Sequence, residues 1–222
     1  MEMGLGAREL MAKRAAEEIS NGNIVNLGIG IPTLVSNFIS SDIHVFLHSE
    51  NGFLGIGPKP NEGEEDENLI NAGGFPCTAI RGASYFDSAD SFAIIRSGKL
   101  DITILGALEV DEKGNLANWI VPGKRVPGMG GGMDLAENAK KVIIVTTHTN
   151  KDGSSKIKKK CSLPLTAKES VSLIITELAV MEVTEQGLVL KELFDGTTVD
   201  EVASKTEANL IVSDTLRIIM YN

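Results

Sequence analysis

The chain has 222 residues, a formal net charge of −9 at pH 7 and 42% hydrophobic residues. This length and hydrophobic content predict a single domain, 1–222, with a substantial core. The acidic balance argues against nucleic acid as a partner, because phosphates attract basic surfaces. No apolar run reaches the roughly 18 residues of a membrane span, and no signal-peptide pattern opens the chain, so a soluble cytoplasmic protein without membrane contact is expected.

The first part of the chain alternates between helix and strand signals. Residues Ala7 to Ile19 predict an amphipathic helix, with Arg14 among the charged residues that face solvent. Asn23 to Leu27 predicts a short strand, and Thr33 to Ile39 predicts the next helix. This alternation favours an open α/β fold, with a largely parallel sheet and flanking helices.

The next strand is predicted to end at Glu50. The run from Ile43 to Leu47 is apolar and favours β-structure, and Asn51-Gly52 favours a tight turn with positive φ. Ligand crevices in open α/β sheets lie outside the carboxyl ends of strands, which makes Glu50 a candidate reactive group. For a single glutamate taken alone, a solvated loop position is favoured by about ten to one.

The later segments continue the α/β pattern. An acidic run at 61–67 predicts a solvated loop, and Thr198 to Glu201 has the spacing of a capping box for a helix reaching about Thr206. The basic run at 156–160 is interpreted as a solvated hairpin or loop, favoured about three to one over a phosphate contact. Further strands are predicted at Phe92 to Ile95, Ile102 to Val110, Val142 to Thr146, Val171 to Val183 and Gly187 to Leu190.

Cysteine and histidine are sparse. Cys77 and Cys161 are far apart in sequence and are expected to be reduced thiols rather than a disulfide. The three histidines form no cluster with cysteine at ligand spacing, so no metal site is predicted.

Two glycine-rich segments are candidate ligand loops. Gly28 and Gly30 lack the third glycine of a dinucleotide fingerprint, and Pro32 falls at the expected helix entrance, so nucleotide binding is weakly indicated. The segment 128–134 precedes a helix-like stretch from Leu135 to Lys141, and its bare backbone N–H groups suit a phosphate or a developing oxyanion. Each loop alone is equally compatible with a tight structural turn. A carboxylate, a strand-end asparagine and a glycine backbone could together act on one activated carbonyl, such as a thioester.

Four motifs in this order resemble those of the β subunit of class I coenzyme A transferases, of the butyrate or acetate:acetoacetate type. The motifs are Asn26-Leu27-Gly28-Ile29-Gly30-Ile31-Pro32, Ser49-Glu50-Asn51-Gly52, Leu69-Ile70-Asn71-Ala72-Gly73 and Gly128-Met129-Gly130-Gly131-Gly132-Met133-Asp134. The resemblance covers nearly the whole chain. It implies a transferase-like open α/β fold in which Glu50 is the catalytic glutamate. It also implies oxyanion and thioester contacts from Asn26, Gly131 and Gly132, and a substrate pocket lined by Gly28, Gly30, Asn51 and Gly52.

The resemblance further implies ping-pong transfer of CoA through a covalent glutamyl-CoA thioester, without a metal or redox cofactor. The substrates would be short-chain acyl-CoA (acetyl, butyryl or acetoacetyl) and free carboxylates, and the partner an α subunit in an α2β2 assembly. One departure is Gly74, at a position where some relatives are expected to carry lysine.

Two alternatives remain open at this point. The same fold could serve a noncatalytic regulatory module that binds a sugar phosphate or CoA. It could also serve a sugar-phosphate isomerase, with Glu50 as a general base rather than a nucleophile. A covalent thioester on Glu50 would distinguish the transferase from both.

Overall fold

The computed structural model describes residues 6–123 and 128–221. Its α-helices are α1 (Ala7–Ala16), α2 (Ser88–Arg96), α3 (Gly132–Asn138) and α4 (Val199–Ser204), and a 3₁₀ helix spans Pro32–Phe38. Its strands are β1 (Ile24–Leu27), β2 (Phe46–Ser49), β3 (Phe53–Ile56), β4 (Ala79–Tyr85), β5 (Ile102–Leu105), β6 (Glu109–Asp111), β7 (Leu116–Ala117), β8 (Lys141–Val145), β9 (Ile157–Lys158), β10 (Leu173–Ile175), β11 (Ala179–Thr184), β12 (Gly187–Phe194) and β13 (Leu210–Ile219).

In this described part of the chain, ten strands form one sheet in the order β13-β12-β11-β10-β8-β5-β1-β2-β3-β4. The central block β10-β8-β5-β1-β2 is parallel throughout. Antiparallel pairing adds β3 and β4 on one side and β11 and β12 on the other, and β13 lies parallel to β12 at the edge. Strands β6, β7 and β9 form a separate small sheet. The predicted α/β fold with a largely parallel central sheet is confirmed.

The strand order reverses at β1. The chain passes from β1 to its neighbour β2 on one side, and the next parallel strand, β5, lies on the other side of β1. Crevices form outside the carboxyl ends of strands at such a switch point. The loops that begin at Gly28 and Gly106 therefore border the crevice, and Glu50 follows β2 beside it.

The central strands β5, β8 and β10 are buried on both faces of the sheet, which explains their near-continuous apolar sequences, whereas the edge strands β4 and β13 are largely exposed. Along β8, Ile143 contributes to the core that packs against α1, and Ile144 contributes to the opposite core with residues of α2 and α3. Both side chains are fully buried, and each such burial stabilises the fold by about 1.5–3 kcal/mol. This two-sided packing holds α2 and α3 over the same face of the sheet.

Several predicted elements were wrong in type or extent. The segment Phe92 to Ile95 is part of helix α2, which begins at Ser88 after Asp87, whose carboxylate accepts the N–H of Asp90 at 2.9 Å. A short apolar run does not distinguish a strand from a buried helix. The helix predicted at 33–39 is a 3₁₀ helix at Pro32–Phe38, and α3 ends at Asn138 instead of continuing to Lys141. The strands predicted at 102–110 and 171–183 are each divided in two, into β5 and β6 and into β10 and β11. Strand β12 continues beyond Leu190 to Phe194.

The prediction that Arg14 faces solvent was also wrong. Arg14 is buried, and its Nε donates to Glu192 Oε2 at 2.5 Å while Nη1 donates to Glu18 Oε1 at 2.6 Å. Arg217 also pairs with Glu192, so this carboxylate joins α1 to the edge of the sheet. Burial of the guanidinium is possible because its charge is paired on two sides.

The basic run at 156–160 is only partly solvated. Lys156 Nζ donates to Thr147 Oγ1 at 2.9 Å, and Ile157 is fully buried in β9. The acidic run at 61–67 is an exposed loop, and Thr198 caps α4 by accepting the N–H of Glu201 at 3.1 Å, both as predicted. Cys77 and Cys161 are free thiols. Within the described residues, no helix is long and apolar enough to cross a bilayer.

Candidate active site

Glu50 lies in the turn that joins β2 to β3. The turn is closed by the N–H of Gly52, which donates to the Ser49 carbonyl at 3.1 Å, and Gly52 has φ +110°. A Cβ at position 52 would overlap the carbonyl oxygen of Phe86, so the position requires glycine for both conformation and space. The predicted tight turn is present, and it carries Glu50 at the carboxyl end of a parallel strand.

The glycine segment and α2 form the wall beside the Glu50 carboxylate. The backbone N–H of Gly131 faces the carboxylate, and a Cβ at position 131 would overlap Oε2 and lie 3.2 Å from Phe92 Cζ. Arg96 Nε donates to Asp134 Oδ1 at 2.7 Å and thereby ties α2 to α3. Two motifs about eighty residues apart, Glu50 and the polyglycine loop, therefore meet at one place.

The surroundings make Glu50 more basic than a solvated glutamate. Burial is the largest cause and raises the pKa of Glu50, and the nearby negative charge of Asp134 raises it further. The N–H of Gly131 acts in the opposite direction because it stabilises the ionised form, but the pKa stays above its usual value. The side chain is half-buried, so one side of the carboxylate remains open to a ligand.

Asn26 lies on β1 directly across from His48 on β2. Its Nδ2 is 3.2 Å from the carbonyl oxygen of His48 and 3.3 Å from His48 Nδ1. The Asn26 amide nitrogen is thus directed at His48. Its predicted role at the oxyanion stays a prediction.

The other predicted glycines occupy the rim of the crevice. Gly28 N–H donates to the Ile104 carbonyl at 2.8 Å, and a Cβ there would lie 3.1 Å from the same oxygen, so this loop packs tightly on β5. Gly30 is exposed, with φ +97° and open space around its Cα. Gly132 opens α3, and its Cβ position is also uncrowded.

The motif at 69–73 braces the Glu50 turn from outside. Asn51 Nδ2 donates to the Ile70 carbonyl at 2.9 Å, and the Ala72 N–H donates to Ser49 Oγ at 2.8 Å. The Asn51 side chain therefore holds this loop, and its predicted place in the substrate pocket stays a prediction. Gly74 follows with φ +76° and open space where a lysine was expected in some relatives.

A metal centre does not form in the described residues, where no group of three or more His, Cys, Asp or Glu side chains is placed to hold an ion. The predicted site consists instead of one carboxylate, one buried amide and backbone N–H groups.

The family follows from comparison with known proteins. Residues 8–205 match the family described as Coenzyme A transferase. The chain belongs to the coenzyme A transferase family. It is 58% identical over 210 residues to the beta subunit of a probable coenzyme A transferase from Bacillus subtilis, covering 95% of this chain and 97% of that protein. It is 54% identical over 210 residues to the beta subunit of an acetate CoA-transferase from Haemophilus influenzae, covering 95% and 94%.

Solved structures share the transferase fold at lower identity. An acyl-CoA transferase from E. coli O157:H7, crystallised as a thioester complex with CoA, superposes with a TM-score of 0.76 at 24% identity. The match covers 99% of this chain and 44% of that one, so the present chain spans less than half of that protein.

Four residues around the Glu50 turn and carboxylate were not predicted from the sequence as part of the candidate site. His48 and Ser91 contact through Nε2 and Oγ at 3.0 Å, and Phe92 and Asp134 lie beside the Glu50 carboxylate. Phe92 was missed because residues 92–95 were interpreted as a strand, and Ser91 lies just before that segment. The sequence did contain a signal for His48. This histidine ends an otherwise apolar run two residues before Glu50, and a histidine buried there needs polar partners.

Proposed function

We propose that this chain is the catalytic β subunit of a CoA transferase that moves CoA between a short-chain acyl-CoA and a free carboxylate. The observation that carries the proposal is the half-buried Glu50 carboxylate, with its raised pKa, against the N–H of Gly131. A basic carboxylate next to a backbone donor suits attack on a thioester and stabilisation of the oxyanion that results.

In the proposed reaction, a Glu50 oxygen attacks the thioester carbon, and the carbonyl oxygen takes the negative charge. Collapse expels CoA as a thiolate and leaves an acyl-glutamyl anhydride. The thiolate then attacks the glutamyl carbonyl and releases the first acid as its carboxylate, so that Glu50 carries CoA as a thioester. An incoming carboxylate reverses these steps and regenerates Glu50. Every nucleophile is already an anion, so no proton needs to be transferred.

Burial of Glu50 serves this reaction in two ways. Partial removal of water strengthens the interaction between a developing oxyanion and the N–H groups of Gly131 and Gly132. It also limits hydrolysis of the anhydride and of the glutamyl thioester. Asn26 is proposed to help hold the thioester oxygen through one of the two N–H bonds of its amide, while the other stays directed at His48.

The assembly and substrates are inferred from the names of relatives and from the motifs of the chain. Several are named as the second of two subunits of an acetate or a succinyl-CoA:3-ketoacid CoA-transferase. These names support an α-subunit partner and acetyl or 3-ketoacyl groups such as acetoacetyl, whereas the proposed α2β2 assembly and the butyryl group rest on the resemblance of the motifs. CoA and acyl-CoA are substrates here, and the chemistry requires no metal or redox cofactor.

The test is to trap the covalent intermediate in the complex of both subunits. The complex is incubated with acetoacetyl-CoA, treated with hydroxylamine or borohydride, and digested for mass-spectrometric mapping of the modified residue. We expect modification at Glu50, none in Glu50→Gln, and full modification in Glu64→Gln, a control in the exposed acidic loop. Modification at another residue, or CoA transfer without any adduct, would contradict the proposed mechanism.

A further inference from the structure

A chain of buried polar contacts lies behind the Glu50 turn. It runs from Asn26 on β1 through His48 on β2 to Ser91 on α2, and these residues are 4%, 2% and 0% exposed. The contacts are 3.3 Å from Asn26 Nδ2 to His48 Nδ1 and 3.0 Å from His48 Nε2 to Ser91 Oγ. Buried polar groups of this kind are costly unless satisfied, and here three elements meet through them.

The partners fix the tautomer of His48. Asn26 Nδ2 also lies 3.2 Å from the His48 carbonyl oxygen, and flipping the amide would place two acceptor oxygens against each other. Nδ2 is therefore a donor, so His48 Nδ1 accepts and Nε2 carries the proton that is donated to Ser91. Burial lowers the pKa of His48 to about 4, which keeps the ring neutral at pH 7.

The chain of contacts ends at the turn that carries Glu50. With its oxygen accepting from His48, the Ser91 hydroxyl donates to the Ser49 carbonyl, a long contact of 3.5 Å. The same carbonyl accepts the Gly52 N–H that closes the turn. Ser91 also precedes Phe92, which lies beside Gly131. The turn and the wall that face the carboxylate are thus fastened to one another through His48 and Ser91.

We propose that His48, held as the Nε2–H tautomer between Asn26 and Ser91, is a positioning residue that fixes the Glu50 turn against the Gly131 wall. This inference rests on the proposed function of Glu50 as nucleophile. A neutral ring suits the role, because it can accept from Asn26 at Nδ1 and donate to Ser91 at Nε2 at the same time. In this proposal Asn26 contributes to the reaction by orienting His48.

The test compares His48→Phe, Ser91→Ala and the conservative His48→Gln in the complex of both subunits. His48→Phe keeps an aromatic ring without its nitrogens, Ser91→Ala removes one hydroxyl, and Gln offers both an acceptor and a donor. We expect the first two to slow adduct formation in a single turnover by about 10- to 100-fold, because small displacements of a nucleophile are costly. KM for acyl-CoA should change by less than about twofold, since binding is unaltered. His48→Gln should recover most of the rate.

His148 provides the matched control. It is equally buried, contacts Thr176 and Thr206 at 3.0 and 2.9 Å, and burial lowers its pKa to about 4 as well. His148→Phe should lower the melting temperature as His48→Phe does and leave the rate of adduct formation unchanged.

The outcomes separate this inference from the proposed function. If wild-type complex forms no adduct at Glu50, the proposed function fails. If wild type forms it and both His48→Phe and Ser91→Ala form it equally fast, the positioning role fails. A His48→Phe variant that does not fold leaves the decision to Ser91→Ala, which removes only an oxygen. The double variant should be no slower than the slower single one, since residues of one network are not additive.

Discussion

Replacing Gly131 with alanine tests the placement of the Glu50 carboxylate directly. Gly131 has φ −80° and ψ 1°, a conformation that alanine adopts without strain. The new methyl group would overlap Glu50 Oε2 and lie 2.9 Å from Glu50 Cδ. Because the obstacle is the end of a flexible side chain, the fold can accept the change while the carboxylate withdraws from the N–H.

The expected loss of transfer activity in Gly131→Ala follows from this geometry. The carboxylate has to move by about 1 Å to restore normal contact, and a misplacement of that size costs about 100-fold in rate. Stability should change little or rise by about 0.4–1 kcal/mol, since alanine restricts the unfolded chain. The substitution is therefore expected to separate activity from stability.

Gly132→Ala is the matched control, because alanine keeps the backbone N–H proposed for the oxyanion and its Cβ would meet Asn118 Oδ1 and Thr166 Cγ2 at an ordinary 3.8 Å. Each variant, in complex with the α subunit, would be assayed for acetoacetyl-CoA:acetate transfer and for urea denaturation. Gly132→Ala should transfer CoA at close to the wild-type rate. If both variants lose activity equally, the effect belongs to the loop and not to the carboxylate. If Gly131→Ala stays active, Glu50 does not work in the position described.

Three further predictions concern charge. Glu50→Gln should stabilise the protein at pH 7 by up to about 1 kcal/mol in urea unfolding, because it removes the charge of a half-buried carboxylate. The pKa of Glu50 in the folded state is raised above the ordinary 4.5, so the wild-type protein loses stability as the pH rises from 4.5 through the folded-state pKa. If the variant is still more stable than wild type at pH 3, where Glu50 is protonated in both states, this reasoning is wrong. Asp134→Asn should lower the pKa of Glu50 and move the acid limb of the kcat/KM profile to lower pH; an upward shift would refute the role of that charge. Glu192→Gln should cost about 3 kcal/mol in the same unfolding assay, because the buried Arg14 keeps only Glu18 and the more distant, exposed Glu17 as carboxylate partners; a neutral result would refute this reasoning.

The Glu50 turn could be predicted because its determinants are consecutive in the sequence. An apolar β-favouring run precedes it, and Asn51-Gly52 supplies the residue that can reach φ +110°. Strand β1 and the caps of α4 were predictable for the same reason. Local chemistry also indicated that the backbone of the polyglycine segment can approach a ligand closely. In the structure Gly131 lies against the Glu50 carboxylate, and the contact with a ligand stays a prediction.

The wall of the site depended on long-range packing and could not be predicted in this way. Residues 92–95 are apolar and β-branched enough to indicate a strand, and only the Asp87 cap marks the helix. Arg14 was assigned to solvent because its partner Glu192 lies 178 residues away in sequence. His48 and Ser91 are 43 residues apart, and neither residue alone indicates the other.

The surroundings of Glu50 fit a nucleophile that must also be a leaving group. An acyl ester of serine would be too stable to pass CoA onward, whereas a glutamyl thioester is close in energy to the acyl-CoA with which it exchanges. Burial and Asp134 raise the basicity of the carboxylate, and the Gly131 N–H limits that rise. The ionised carboxylate is therefore less stabilised in the folded protein than in water, so part of the cost of attack is already met in the folded state.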